Sequence, residues 1–151
     1  MASGWTNKLK WRLLGWVFVN QTEPTVFYCA LVTNAVTPTV DTNTKSELTE
    51  IANGNGYTTG GFSLTPGATD FDVHTEDDTN DWGLVQCKDI AWTATGGPIP
   101  ISGTGAYHSI ITDDNVTQGS REVYAFHDLS GPISVSVGQT LTLQNVELRI
   151  T

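Results

Sequence analysis

Residues able to do acid–base, nucleophilic or metal chemistry are present in this chain, but they are scattered. His74, His108 and His127 lie far apart, and none belongs to an HExxH or i,i+4 pair of the kind that grips zinc. A hydroxyl nucleophile, its base and an orienting carboxylate could still be assembled by the fold, for example from Ser109, His127 and Asp114. No nucleophile elbow supports that set. A glycosidase needs two placed carboxylates, and with 16 acidic residues any pair can be nominated, so the pattern selects none. The glycines of NGNGYTTGGFSLTPG (residues 53–67) lack the strand-to-helix spacing of a dinucleotide or phosphate loop. The chain therefore reads as non-enzymatic and without a cofactor.

Metal and thiol chemistry fare little better. DFDVHTEDDTND, residues 70–81, carries six carboxylates. Counted from Glu76, Asp78 and Asn80 alternate as the ligands of a calcium loop do, but Asp81 occupies the sixth position, which requires Gly. A solvated loop is the expected form, with Glu76, Asp78 and Asn80 the weak candidates for a nonstandard Ca²⁺ site. Cys29 and Cys87 are too few for a disulfide scaffold, form no CxxC, and read as two buried thiols. An immunoglobulin pattern would need a Trp about a dozen residues after the first Cys. Asp41-Thr42-Asn43 stands there instead.

The remaining cluster is basic and aromatic. Lys8, Lys10 and Arg12 precede the apolar run Leu13–Val19, which is too short to span a membrane and is followed by no small-residue cleavage site. Cytosolic synthesis is expected, so the sequons at Asn20 and Asn115 should carry nothing. Trp5, Leu9, Leu13 and Trp16 recur at spacings of 4, 4 and 3, predicting one face of a helix of about 12 residues. That face either packs on the core or belongs to an arm docking on a partner. Trp11 lies off the stripe and is less readily explained as core.

The elements that would position these residues are mostly strands. Residues 26–33 (VFYCALVT) predict a buried strand after Pro24. Thr44 and Glu47 have capping-box spacing and predict one short additional helix with Leu48 and Ile51 on its apolar face, ending at Asn53-Gly54. Tyr57–Leu64 predicts a strand broken at Gly60-Gly61 by a bulge or a close backbone approach. Trp82–Thr93 reads as one long strand, and Tyr107–Thr112 and Glu122–Leu129 as antiparallel neighbours. Leu141 and Leu143 alternate on odd positions while Val146, Leu148 and Ile150 alternate on even ones, which implies a bulge near Gln144-Asn145.

With 151 residues, 15 Gly, 6 Pro and abundant Thr, the chain predicts a single mainly β domain, an antiparallel β-sandwich or jelly roll over residues 21–151. Residues 1–20 form the N-terminal helix or arm. Seven Lys and Arg against 16 Asp and Glu leave a net charge of −9. That balance argues against a nucleic acid or an anionic bilayer as main partner, since both need cationic surface.

The ordered set of segments resembles a known family. GWTNKLKWRLLGW, FYCALVTNAVTPT, SELTEIANGNGYTTGG, DIAWTATGG, YHSIITDD and VYAFHDLSGPISVSVGQTLTLQNVELRIT are together similar to small structural proteins of tailed bacteriophages. The likeness is in particular to head decoration (cement or head-fibre) proteins, which open with a helix and continue as a β-sandwich. It covers nearly the whole chain and rests on element order and phrases rather than on a chemical motif.

The resemblance implies a chain made in the host bacterial cytoplasm that joins the virion. Folded copies would add to the outside of an assembled head and bridge its subunits, stabilising it by binding only the assembled state. The implied partners are the major capsid protein and further copies of the chain, as a trimer. The contact candidates are Trp5 and Trp11 as anchors, with Lys8, Lys10 and Arg12 meeting an acidic capsid surface. The competing expectation is a phage tail or fibre component, a carbohydrate-binding or adaptor module using the acidic segment with Ca²⁺ and a ring such as Trp82 or Tyr57.

Overall fold

The computed structural model describes residues 4–150. A two-residue strand, β1 (Gly4–Trp5), leads into the helix α1 (Asn7–Phe18), and β2 (Phe27–Val32) and β3 (Phe62–Leu64) follow. Next come β4 (Val73–Asp77), β5 (Trp82–Cys87), β6 (Ile90–Thr93) and β7 (Ala106–Thr112), and the chain closes with β8 (Val123–Ile133), β9 (Thr140–Leu143) and β10 (Val146–Ile150). One sheet has the order β1-β8-β7-β2-β3, a second β10-β5-β4, and β6 pairs with β9. Every pair is antiparallel. The expected mainly β, sandwich-like architecture with an N-terminal helix is what forms.

Where the sequence predicts one long strand over Trp82–Thr93, there are two, broken at Lys88-Asp89. The final strand is likewise divided at Gln144-Asn145. The two breaks face each other: Val146 is opposite Cys87, Leu143 is opposite Ile90, and the Gln144 side-chain Nε2 donates to the Asp89 carboxylate at 3.0 Å. β5-β6 and β9-β10 are thus one bent ladder whose halves lie in different sheets. Asn145, at φ 55°, supplies the left-handed turn of the corner, a conformation Asn tolerates better than most residues. The change of hydrophobic phase is therefore a change of sheet and not a bulge within one strand.

β2 is buried on both faces because it lies between β7 and β3 with a core on either side. Cys29 and Leu31 join the main core with Ile90, Trp92, Ile111, Leu141 and Leu143, while Ala30 and Val32 join a smaller one with Leu48, Ile110, Val123 and Phe126. Both cysteines are free and buried, as the sequence predicts. Gly61, at φ 83°, lies where a Cβ would collide with the Cys29 carbonyl, so the expected close approach is real. The strand beyond it is short, starting only at Phe62, because Tyr57 is held in a turn with Gly54.

The Thr44/Glu47 pair does cap, with Glu47 Oε1 accepting from the Thr44 amide at 2.8 Å. The short helix it opens is a single 3-10 turn over Lys45–Glu47. Leu48 and Ile51 then diverge into the two separate cores. Behind this turn, Lys45 is buried against Glu50 at 2.6 Å, and Glu50 accepts from the Tyr57 hydroxyl at 2.6 Å and the Gly60 amide at 2.7 Å. Tyr57 in turn accepts from the Leu31 amide at 3.0 Å, which fixes its ring inside the core.

Candidate functional site

α1 presents apolar residues on two sides, and the site is built around that fact. Its start is fixed by Thr6, which is fully buried: the hydroxyl donates to the Val123 carbonyl at 2.6 Å and accepts from the Leu9 amide at 3.2 Å as N-cap. The Thr6 amide donates to Tyr124, and the Asn7 amide to Val40. Trp5 is therefore not helical, contrary to what its place in the stripe predicts, because the helix starts only after the Thr6 cap. It sits in β1, opposite Ala125 of β8. At the other end the Val19 and Gln21 amides both return to the Gly15 carbonyl, ending the helix before Pro24. A Cβ on Gly15 would strike the Gln21 side chain folded over it.

The predicted stripe of Trp5, Leu9, Leu13 and Trp16 does face one way. Together with the 66–71 loop, Val85 of β5, Leu148 of β10 and Ile111 of β7, it walls an apolar cleft of about 450 Å³. Tyr124 enters the wall through a bulge: Ile111 pairs with Ala125 and Thr112 with Val123, so Tyr124 is the extra residue. Its ring meets Trp16 edge-on at 5.8 Å. The Trp16 N–H donates to the Thr22 carbonyl at 3.2 Å, whereas the buried Trp5 N–H has no partner.

The basic residues are largely engaged within the chain. Arg12 grips Glu122 with two bonds, at 2.7 and 2.9 Å, and Lys8 approaches the same carboxylate at 3.7 Å. Burial raises the Glu122 pKa, but the Arg12 bonds and the two positive charges outweigh it, leaving the group below its ordinary value. Lys8 and Arg12 also lie over the Trp11 ring, at 5.3 and 4.8 Å from its centre. Trp11 stays 52% exposed, beside Leu14 at 58% and Phe18 at 78%. Lys10 is exposed. Of the five candidate contact residues, Trp5 is thus turned into the cleft, and Lys8, Lys10, Trp11 and Arg12 are on the helix away from it or at its rim.

The other sequence candidates are not assembled into chemistry. Ser109 and His127 are cross-strand partners, but Asp114 is elsewhere, accepting from Thr25 and Val26. His127 Nε2 lies 2.9 Å from the Glu147 carbonyl, linking β8 to β10. Burial lowers the pKa of both His127 and His108, more than the neighbouring Glu147 and Asp128 raise them. Burial also pushes the Cys87 thiol up to about 12, with Asp72 and Asp70 adding to the effect, so it is not a thiolate nucleophile.

The segment expected as a solvated acidic loop is half strand, because β4 runs through Val73–Asp77 and pairs with β5. Its turn is held by Asp77, which accepts from the Asn80 amide and side chain at 3.0 and 2.8 Å. Among the described residues no group of three or more His, Cys, Asp or Glu is placed to hold a metal ion. Tyr57, considered as a stacking ring, is 2% exposed and closed to any sugar. Trp82 is covered on one face by Arg149 at 4.6 Å.

Sequence reasoning missed Thr6 and Glu122. Thr6 carried a signal, a hydroxyl residue just before the helical period, whereas Glu122 is distant in sequence and carried none. No helix among the described residues is long and apolar enough to cross a membrane. No protein-family model, curated protein or solved structure matches the chain.

Proposed function

We propose that this chain is a non-enzymatic structural protein of a phage virion, a decoration protein that binds the outside of the assembled head through the outer side of α1. The partner is the major capsid protein, and the chain acts as a homo-oligomer, a trimer by family likeness. One observation carries the docking surface: Trp11, Leu14, Val17 and Phe18 form an exposed apolar patch on a helix whose ends are tied down. Patches on the scale of roughly 300–600 Å² on single chains are commonly interaction sites. A rigid aromatic already ordered against two cations meets a partner at little entropic cost, which is how anchor residues work.

The geometry changes the roles within the candidate set. Trp11 is the anchor, Arg12 and Lys8 position it and are neutralised by Glu122, and Lys10 is the charge left to meet an acidic surface. Trp5 supports the helix from beneath. The test is binding of purified chain to assembled heads lacking it, comparing wild type with Trp11→Ala/Phe18→Ser. The expected result is at least tenfold weaker binding with a melting temperature within a few degrees. Unchanged binding would sink the docking surface. A cryo-EM map of the native particle tests the assignment itself: density at regular sites on the shell supports decoration, and density confined to the tail moves the protein to a fibre or adaptor role.

A further inference from the structure

The cleft beneath α1 is larger than packing leaves behind. Interiors are packed like organic crystals, with few voids bigger than one water, whose share of liquid is about 30 Å³. This cleft holds about 450 Å³, within the range of roughly 300–1,000 Å³ typical of small-molecule sites. A dry cavity of about 150 Å³ suffices for benzene, so this volume fits two or three fused or linked rings.

The wall also specifies polarity. Its described residues are apolar except for His74 at the exposed rim and the polar tips of Trp5, Trp16 and Tyr124. Trp16 already donates to Thr22, and Tyr124 to Glu122 at 3.3 Å. Among the described groups of this wall, the Trp5 Nε1–H is the one buried with nothing to bond, and a buried indole N–H ordinarily finds a partner. Among the described residues of the wall there is no Lys or Arg to receive a charged group. An ionised ligand would therefore be desolvated without compensation.

We propose that this cleft is a binding site for a neutral, two- to three-ring apolar molecule bearing one hydrogen-bond acceptor, taken by the Trp5 indole N–H. The experiment is isothermal titration of the full chain with 2-acetylnaphthalene and with 2-ethylnaphthalene, which has the same rings and no acceptor. Saturable one-to-one binding of both is expected, with the ketone about three- to tenfold tighter, the worth of one net hydrogen bond. Trp5→Phe should bring the ketone down to the level of the hydrocarbon and leave the hydrocarbon's affinity within twofold.

Filling the cleft should abolish binding of both probes. Val85→Trp does so from β5, and Ala68→Trp does so from the exposed loop, where folding is not at risk. Absence of saturable binding to the wild type overturns the proposal, as does wild-type binding by either filled variant. Equal affinity for the two probes overturns the role of Trp5. Binding of a protein side chain or peptide in place of a small molecule would show as competition by purified heads and would overturn the small-molecule assignment.

Discussion

The two halves of the bent ladder are continuous in sequence and hydrogen bonding, yet away from the bend, where Cys87 and Val146 are buried, they are packed to different degrees. In the β6-β9 half, Ile90, Trp92, Leu141 and Leu143 are all buried, and Trp92 rests on the rings of Tyr57 and Phe62 at 5.8 and 6.3 Å. In the β5-β10 half, Val85 and Leu148 are only half-buried and look into the cleft. The difference comes from what stands opposite. Tyr57 is driven into the first half by Glu50 and the Leu31 amide, whereas α1 stands off the second, held at its two ends by Thr6 and Trp16. Filled space gives stability, and unfilled space between rigid walls gives a place to bind.

The largest expected effect tests that contrast directly. Trp92→Ala should cost about 3–5 kcal/mol by leaving a cavity in the filled half. Leu148→Ala should cost less, about 2 kcal/mol, since the side chain is only half-buried and lines the open cleft. Equal costs in chemical denaturation would erase the distinction. Next, Lys45→Met leaves Glu50 buried without its cation and should cost about 3 kcal/mol. Arg12→Met leaves Glu122 able to reach solvent and Tyr124, and should cost about 1 kcal/mol.

Acid should weaken the open half first. The His127 pKa is held below its ordinary 6.5 by burial, so the unfolded chain binds the proton more readily. Its stabilisation is complete above pH 6.5 and is lost as pH falls towards the folded value. His108 acts in the same direction. Glu122 behaves likewise in a lower window, with its stabilisation present above 4.5 and lost as pH falls through its lowered folded pKa. Denaturation midpoints between pH 7 and 5 should fall for wild type and fall less for His127→Gln, and equal slopes would contradict the assignment. The smallest effect belongs to the outer side of α1, where Phe18→Ser should change stability by no more than about 0.5 kcal/mol while altering what the helix binds.

Much of this was legible in the residues. Trp5, Leu9, Leu13 and Trp16 do share a wall, Gly61 does make a close approach, and Cys29 and Cys87 are buried thiols. The misreadings share a cause. Trp82–Thr93 reads as one strand, and 141–150 as a bulged one, because periodicity records alternation and not which sheet is being faced. The acidic segment reads as loop because its charges are obvious, while its pairing with β5 is a property of the partner strand.

The amino-acid sequence by itself determined the β class, the helix and its inner stripe, the turns and the absence of a recognisable catalytic motif, because these depend on local conformational preference and short-range period. Tertiary structure alone decided that Arg12 meets Glu122 across 110 residues, that Tyr57 fills one half of the sandwich, and that a cleft remains under α1. Those outcomes depend on how separate surfaces fit in space, and a void is a property of the walls together rather than of any residue in them.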